Sequence, residues 1–195
     1  MGLTDLEKTE EAKLLKTRNT ILCALFVALI AIGAFIRIPV PVCPFTLQLL
    51  FTTLAGLLLG ARLGGLSVAA YVFIGLIGVP IFTEGGGPAY VFQPTFGYLI
   101  GFAVGAYIAG AMTEHVKHLT MARLLAANFI NLLVVYLFGM IYVYIINNFY
   151  LNTPIGVWPV FLYCFVLAVP GDIVLCVLAA IIGKKLIPVV KQQYK

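Results

Sequence analysis

The sequence predicts an all-α integral membrane protein with six transmembrane helices. Hydrophobic residues make up 63% of the 195-residue chain, charged residues make up 10%, and the apolar residues are grouped in six long runs. Soluble domains carry about 25% charged residues, because their surfaces face water. The composition therefore argues against a soluble enzyme and excludes an intrinsically disordered chain.

Each apolar run is a candidate span, since a helix needs roughly 20 apolar residues to cross a bilayer. A charged segment, residues 5–16, precedes the first run, and its leucines predict an amphipathic surface helix. The sequence GARLGG, residues 60–65, predicts a turn between the second and third runs. The predicted spans are residues 20–36, 45–59, 66–82, 95–112, 124–146 and 160–182.

The spans form one membrane domain, residues 20–183, between a leader, residues 1–19, and a basic tail, residues 184–195. Positive charge concentrates in cytoplasmic loops, and Arg37 is the one basic residue on the side opposite to the other eleven. Both termini are therefore predicted to lie in the cytoplasm, with the protein in the cell membrane. The net charge of +5 then reports orientation, so nucleic-acid binding is not needed to explain it. The eleven residues are Lys8, Lys13, Lys16, Arg18, Arg62, Lys117, Arg123, Lys184, Lys185, Lys191 and Lys195.

Asp172 is the one acidic residue inside a predicted span. An isolated carboxylate at membrane depth is costly, so it is by default a candidate functional group with a partner. It follows Pro170 and Gly171, and a proline within a helix frees an upstream carbonyl. We expect a kinked helix that faces a polar interior. A structural carboxyl that is protonated or paired internally is the alternative.

Uncharged polar residues mark two further spans. Asn128 and Asn131 are one turn apart on the fifth span and share a face, and Asn131 falls at a depth comparable with that of Asp172. The pair either binds a ligand or joins helices by hydrogen bonds. On the second span, Gln48 has Phe45 one turn before it and Thr52 one turn after it. An amide both donates and accepts, which makes Gln48 the stronger ligand candidate.

The connector at residues 83–94 combines three glycines with aromatic side chains. Gly86 and Gly87, with the glycine before them, permit backbone conformations that are closed to other residues and allow close approach to a ligand. Tyr90 and Phe92 are placed to cover a pocket opening. An exposed, flexible hairpin is the alternative, but such a loop would be more polar.

The fourth span opens with Thr95 and Tyr98, which follow this connector directly. Small residues then recur every four positions, a spacing that predicts close packing against another helix. On the first span, Ala24 and Ala28 form a similar pair that can face a partner subunit within the membrane. The small residues of the fourth span are Gly97, Gly101, Gly105 and Ala109.

Several chemistries have no counterpart in the sequence. There is no phosphate-binding GxxxxGK[ST] loop, and the two histidines, His115 and His118, belong to no HExxH motif. The four cysteines form no CxxC pair, and no nucleophile lies beside a base. We therefore expect no catalytic residue, no metal and no cofactor. The prediction is a non-enzymatic protein that binds a small ligand.

Three motifs resemble those of the BioY family, the biotin-specific substrate-binding components of energy-coupling factor (ECF) transporters. They are VPVCPFTLQ at residues 40–48, the run from GVPIF through GGG to PTFGYLIGF at residues 78–102, and Pro-Gly-Asp at residues 170–172. The similarity in order and spacing extends over about residues 20–185.

The resemblance implies that the protein captures biotin with high affinity from outside the cell. It also implies assembly with a transmembrane coupling subunit and two cytoplasmic ATPases, with docking through the small residues of the first helix, here Ala24 and Ala28. One departure is Leu175, since relatives often carry a lysine at this position, one turn after the aspartate. This departure weakens the assignment of Asp172 as a direct ligand contact.

The polar residues match the chemistry of biotin, whose ureido group has two N–H donors and one carbonyl. We expect Asp172 to accept from the ureido N–H groups, and Asn131 or Gln48 to donate to the carbonyl. Backbone N–H groups near Gly86 and Gly87 are the expected partners of the valerate carboxylate, with Arg37 as a second choice. Aromatic side chains would pack the ring and the aliphatic chain: Phe45, Phe92 and Tyr98.

Three alternatives to biotin binding remain open at this point. The first is a component for another vitamin, such as thiamine or riboflavin. The second is a membrane enzyme that acts on a lipid or small substrate, although Asp172 is the single ionisable acid at depth. The third is a structural subunit, which would leave the glycine-rich connector and Gln48 without a role.

Overall fold

The computed structural model describes residues 3–38, 44–116 and 119–192, which form a bundle of long helices. A pair of two-residue antiparallel strands, β1 (Arg37–Ile38) and β2 (Phe45–Thr46), lies between the first two helices. A 3-10 turn covers Pro88–Phe92. The helices are α1 (Leu3–Phe35), α2 (Gln48–Leu76), α3 (Phe96–Glu114), α4 (Met121–Ile145), α5 (Val157–Phe161) and α6 (Val169–Gln192).

Five helical stretches in the described part of the chain are long and apolar enough to cross a bilayer. The prediction was six, and the difference arises in α2, which takes in most of the second and third predicted spans. Of the predicted turn at residues 60–65, residues 61–65 are helical. The five stretches are Lys13–Phe35, Gln48–Leu76, Phe96–Glu114, Met121–Tyr150 and Val157–Val190.

A single residue, Gly60, breaks α2 into two limbs, residues 48–59 and 61–76. Its backbone has φ 82° and ψ −179°, a conformation that only glycine adopts without strain. The Nε2 of Gln48 donates to the Tyr71 hydroxyl at 2.9 Å, although 23 residues of straight helix would separate them by about 34 Å. The chain therefore reverses at Gly60, and α2 is a helical hairpin.

Two contacts close this hairpin. A Cβ added at Gly64 would lie 2.6 Å from the Cα of Gly56, so the limbs touch backbone to backbone. The Ala61 N–H, at the start of the second limb, donates to the Oε2 of Glu114 at 3.0 Å. A carboxylate in this position caps the helix and complements its dipole.

Helix α1 runs without interruption from Leu3 to Phe35. The charged leader is helical, as predicted, but it is not a separate element from the first span. The proline-rich part of the first family motif, including Pro39, Pro41 and Cys43, lies outside the described residues, as do Lys117, His118 and Lys195.

The predicted small-residue ridge of α3 packs directly against α4. A Cβ added at Gly101 would lie 2.8 Å from the Cα of Val135, and one added at Gly105 would overlap the side-chain oxygen of Asn131. The absent side chains bring the two helix backbones together, which confirms the packing role.

The last long helical stretch, Val157–Val190, changes helix type part of the way along. Helix α5 continues into a π-helical turn, Leu162–Val166, and α6 begins only at Val169. Pro170 is the second residue of α6, where its missing N–H removes no helical hydrogen bond. Asp172 consequently lies in the first turn of α6. Asp172 nevertheless lies near the middle of the apolar stretch Val157–Val190, as predicted, and a π-helical turn precedes it where the sequence predicts a proline kink.

Candidate ligand-binding site

A pocket opens at the end of the bundle where α2, α3 and α6 begin. It holds about 600 Å³ of free space, part of it open to solvent. Helix α4, strand β2, the connector at residues 83–94 and the segment before α6 complete its wall. The lining residues are Pro44, Phe45, Thr46, Gln48, Leu49, Thr83, Tyr90, Thr95, Tyr98, Leu99, Phe102, Val135, Tyr136, Cys164, Ala168 and Asp172.

The structure brings six of the predicted site residues together in this wall: Phe45, Gln48, Tyr90, Thr95, Tyr98 and Asp172. They come from three separate parts of the chain, residues 45–48, 90–98 and 172, which the fold places side by side. Five others are not part of the lining: Thr52, Gly86, Gly87, Phe92 and Asn131.

The carboxylate of Asp172 is buried and hydrogen-bonded. The Tyr136 hydroxyl, on α4, donates to its Oδ2, and the two side chains are 3% and 8% exposed. Both residues line the pocket. A buried carboxylate needs such a donor, because desolvation without one is costly.

The phenol ring of Tyr136 is held on two sides by other aromatic rings. The ring of Tyr98 lies edge-on at 5.9 Å between centroids, and that of Phe165 lies edge-on at 5.3 Å. Edge-to-face pairs of this kind are favourable beyond the area that they bury. The position of the hydroxyl is therefore set by packing.

The starts of three helices face the pocket. Gln48 begins α2, Thr95 precedes α3, and Asp172 is in the first turn of α6. Helix N-termini carry partial positive charge, which favours an ionised carboxylate and other anions nearby. The broken α5–α6 segment thus places Asp172 where a negative charge is best tolerated.

Gln48 forms a hydrogen-bonded centre between α2 and the connector at residues 83–94. Its Nε2 donates to Tyr71, whose hydroxyl donates to the carbonyl of Ile81 at 2.9 Å. Its Oε1 accepts from the hydroxyls of Thr46 at 3.3 Å and Thr83 at 3.4 Å. The side-chain amide nitrogen of Gln48 carries two N–H groups, and Tyr71 accepts from one of them.

The connector folds back onto α2 through its glycines. The Gly87 N–H donates to the carbonyl of Gly75 at 2.7 Å, at φ 105°. This N–H is used within the fold, and the binding of a ligand carboxylate by backbone N–H groups near Gly86 and Gly87 stays a prediction. A Cβ at Gly86 would lie 3.0 Å from the same carbonyl, so this glycine serves close packing on α2.

The two predicted lid aromatics point in different directions. Tyr90 is 4% exposed and lines the pocket, and its hydroxyl lies 3.3 Å from the Oγ1 of Thr95. Burial raises the pKa of the Tyr90 hydroxyl above its ordinary value, so the group stays protonated at neutral pH. Phe92 instead stacks on Tyr150 with 4.5 Å between centroids and is 46% exposed.

The buried asparagines and Thr52 join helices below the pocket. The Nδ2 of Asn131 donates to the Thr53 hydroxyl at 2.7 Å, and the Nδ2 of Asn128 donates to the carbonyl of Cys176 at 2.8 Å. The Thr52 hydroxyl donates within its own helix, to the carbonyl of Gln48 at 2.9 Å. Of the two roles left open for the asparagines, the structure favours helix–helix hydrogen bonding.

Glycines allow the pocket aromatics to lie flat against the backbone. A Cβ at Gly171 would lie 2.6 Å from the ring of Phe45. A Cβ at Gly139 would likewise overlap the ring of Tyr98. These aromatic rings and the apolar side chains around them give the pocket an apolar wall opposite its few polar groups, as small-molecule sites commonly have.

Sequence reasoning missed ten of the sixteen lining residues, among them Tyr136, Cys164 and Ala168. Tyr136 is one of ten tyrosines and carries no charge, so composition does not single it out. Its position little more than one turn beyond Asn131 on the polar fifth span was the available signal. Cys164 and Ala168 reach the pocket through the π-helical turn, which apolar periodicity cannot predict.

The predicted docking residues Ala24 and Ala28 lie on the exposed face of α1. Larger apolar side chains flank them on the same face, including Ile21, Leu25 and Ile32, each more than half exposed. Small residues between larger apolar ones let another helix approach closely. Among the residues that the structure describes, no group of three metal-ligating side chains comes together.

The BioY family model matches residues 7–192. A "Probable biotin transporter BioY" from Lysinibacillus sphaericus is 45% identical over 170 residues, which cover 87% of each chain. One from Pyrococcus horikoshii is 38% identical over 173 residues, covering 88% of this chain and 98% of the relative. The crystal structure of the S-component for biotin from an ECF-type ABC transporter matches with TM-score 0.76 at 26% identity, over 88% of this chain and 92% of that one.

Proposed function

Because the chain belongs to the BioY family, we propose that it is the biotin-binding membrane subunit of an ECF-type uptake transporter and not an enzyme. It is a multi-pass membrane protein. The pocket carries the proposal: Asp172 and Gln48 converge on one cavity with three aromatic side chains named from the sequence, Phe45, Tyr90 and Tyr98. The names of the relatives favour biotin over thiamine or riboflavin.

The polar groups of the pocket suit the ureido ring of biotin. Asp172 would accept from the ureido N–H groups, and the second N–H of the Gln48 amide would donate to the ureido carbonyl. Phe45 and Tyr98 would cover the thioether ring and the aliphatic chain. Asn131 drops out of this arrangement, because it is not among the lining residues of the pocket.

Because the Gly87 N–H donates to Gly75, we place the valerate carboxylate at another partner. Arg37 is the better candidate, since its Nη1 donates to the carbonyl of Thr83, a pocket residue, at 2.9 Å. A guanidinium has five N–H donors in a planar fork, so donors remain for a carboxylate. Arg37 would then hold the carboxylate at the mouth of the pocket.

We further propose six membrane crossings, with both termini cytoplasmic and the pocket open to the outside. The reversal at Gly60 supports counting the limbs of α2 as two crossings. Arg62 is next to this reversal, and Arg123 donates to the carbonyl of Met112 at the far end of α3, away from the pocket. Arg37 is at the pocket end. The charge asymmetry thus follows the long axis of the bundle.

The proposed partners are a transmembrane coupling subunit and two cytoplasmic ATPases, because the structural neighbour is a component of an ECF-type ABC transporter. The α1 face around Ala24 and Ala28 is the proposed contact with the coupling subunit. Ligand binding itself would need no metal, cofactor or ATP. The bilayer would cover the remaining apolar surface.

Equilibrium binding to the purified chain tests this proposal. Isothermal titration with biotin, thiamine and riboflavin should give saturable binding for biotin alone. Asp172→Asn should weaken biotin binding by roughly 10- to 100-fold, because a hydrogen bond to a buried charged group contributes about 1.5–3 kcal/mol. Binding of another vitamin in place of biotin would refute the assignment, and unchanged affinity in the variant would remove Asp172 from the site.

A further inference from the structure

The partner of Asp172 in this chain is a phenol rather than a cation. Within residues 3–38, 44–116 and 119–192, the side chain that donates to this carboxylate is that of Tyr136. Leu175, one turn further along α6, is buried and apolar. The nearest position on the same helix face therefore offers no charge to the carboxylate.

A phenol and an ammonium group would have different effects on this carboxylate. A lysine at position 175 would place a cation beside the carboxylate, whereas the Tyr136 hydroxyl donates one hydrogen bond and adds no charge. Hydrogen bonds to an ionised acceptor are roughly twice as strong as those between neutral groups. The Asp172 carboxylate thus remains an acceptor for an uncharged N–H group of the ligand.

The hydroxyl also restricts the orientation of the carboxylate. It occupies Oδ2, and its own position is set by the rings of Tyr98 and Phe165 rather than by a ligand. Rotation of the carboxylate would break its buried hydrogen bond with Tyr136. Tyr136 and Asp172 both line the pocket. Oδ1 is then the oxygen presented to the cavity.

We propose that Tyr136 is a positioning residue, which holds Oδ2 of Asp172 so that Oδ1 accepts from an uncharged N–H group of the ligand. The inference rests on the proposed function, which supplies a ligand with ureido N–H groups. Tyr136 acts through Asp172, so its contribution to affinity requires that carboxylate.

A double-mutant cycle on the full chain tests this dependence. Tyr136→Phe keeps the ring, and Tyr107→Phe is the matched control, since Tyr107 is on the exposed side of α3. We expect Tyr136→Phe to weaken biotin binding roughly tenfold, but by less than about twofold in an Asp172→Asn background. Tyr107→Phe should leave affinity unchanged. Wild-type affinity in Tyr136→Phe, or an equal loss in both backgrounds, would overturn the proposal.

A second readout needs no ligand and separates this inference from the proposed function. The chain contains two aspartates, Asp5 and Asp172, so ¹³C-labelled aspartate in an Asp5→Asn background reports on Asp172 alone. The infrared carboxylate bands should shift in Tyr136→Phe and stay unchanged in Tyr107→Phe. Unshifted bands in Tyr136→Phe would overturn the inference. If the wild type does not bind biotin, the proposed function fails instead, whatever the bands show.

Discussion

At the scale of single residues, the pocket depends on glycines as much as on polar groups. Gly171 precedes Asp172 and lets the ring of Phe45 lie against the α6 backbone. A side chain at this position would push the ring toward the cavity. The Pro-Gly-Asp motif therefore combines three functions: a helix start, a contact surface for an aromatic ring, and an acceptor.

Gly171→Ala should weaken biotin binding by roughly tenfold, because its Cβ would lie 2.6 Å from the ring of Phe45 and overpacking typically costs about 1–3 kcal/mol. Titration calorimetry of the purified variant measures the loss. Gly156→Ala is the control, since Gly156 has ordinary backbone angles and its added Cβ would have its nearest neighbour at 3.4 Å. Equal affinity in the two variants would show that Phe45 can move without affecting the ligand.

Eleven ligand residues were predicted from the sequence, and six of them lie in the pocket wall. Asp172 and Gln48 were recognisable because polarity is rare and costly at membrane depth. Asn131 is costly in the same way, but its Nδ2 donates to Thr53 on another helix, while its Oδ1 has no hydrogen-bond partner among the described residues. Composition and spacing cannot distinguish the two uses, since only the neighbouring helix decides between them.

At the scale of helices, predictions succeeded where a charge or a loop ends a continuous apolar run. The fourth and fifth predicted spans differ from α3 and α4 by no more than three residues at either end. The GARLGG segment was interpreted as a turn because of its glycines. Only Gly60 turns the chain, while Gly64 serves the close contact with Gly56. Both roles require glycine, so the residue type does not separate them.

Gly60→Ala should destabilise the protein by about 1–3 kcal/mol, because it forces a side chain into a backbone region that glycine alone adopts freely. Thermal unfolding in detergent, compared with Gly156→Ala, measures the difference. A melting temperature equal to that of the control would mean that the reversal of α2 does not depend on this conformation.

At the scale of the whole molecule, the broken and reversed helices place the starts of α2, α3 and α6 around one cavity. Half-helix N-termini at a polar site are a recurring arrangement in transport proteins. Apolar run lengths do not predict it, because a π-helical turn and a one-residue reversal leave the hydropathy of a run unchanged.

The proposed topology predicts which ends of the bundle face the medium. In a background with the four cysteines replaced, Glu84→Cys should react with a membrane-impermeant thiol reagent in intact cells, and Lys185→Cys should react only after permeabilisation. Both native side chains are exposed and so accessible from their own side. The reverse pattern would place the pocket on the cytoplasmic side.

The most direct test of biotin capture is whether biotin co-purifies with this chain when it is expressed without any partner subunit in biotin-supplied cells. Mass spectrometry of the ligand released on denaturation should find close to one biotin per chain, and much less for Asp172→Asn. Absence of biotin from the folded wild-type protein, or a different vitamin in its place, would contradict the proposed function.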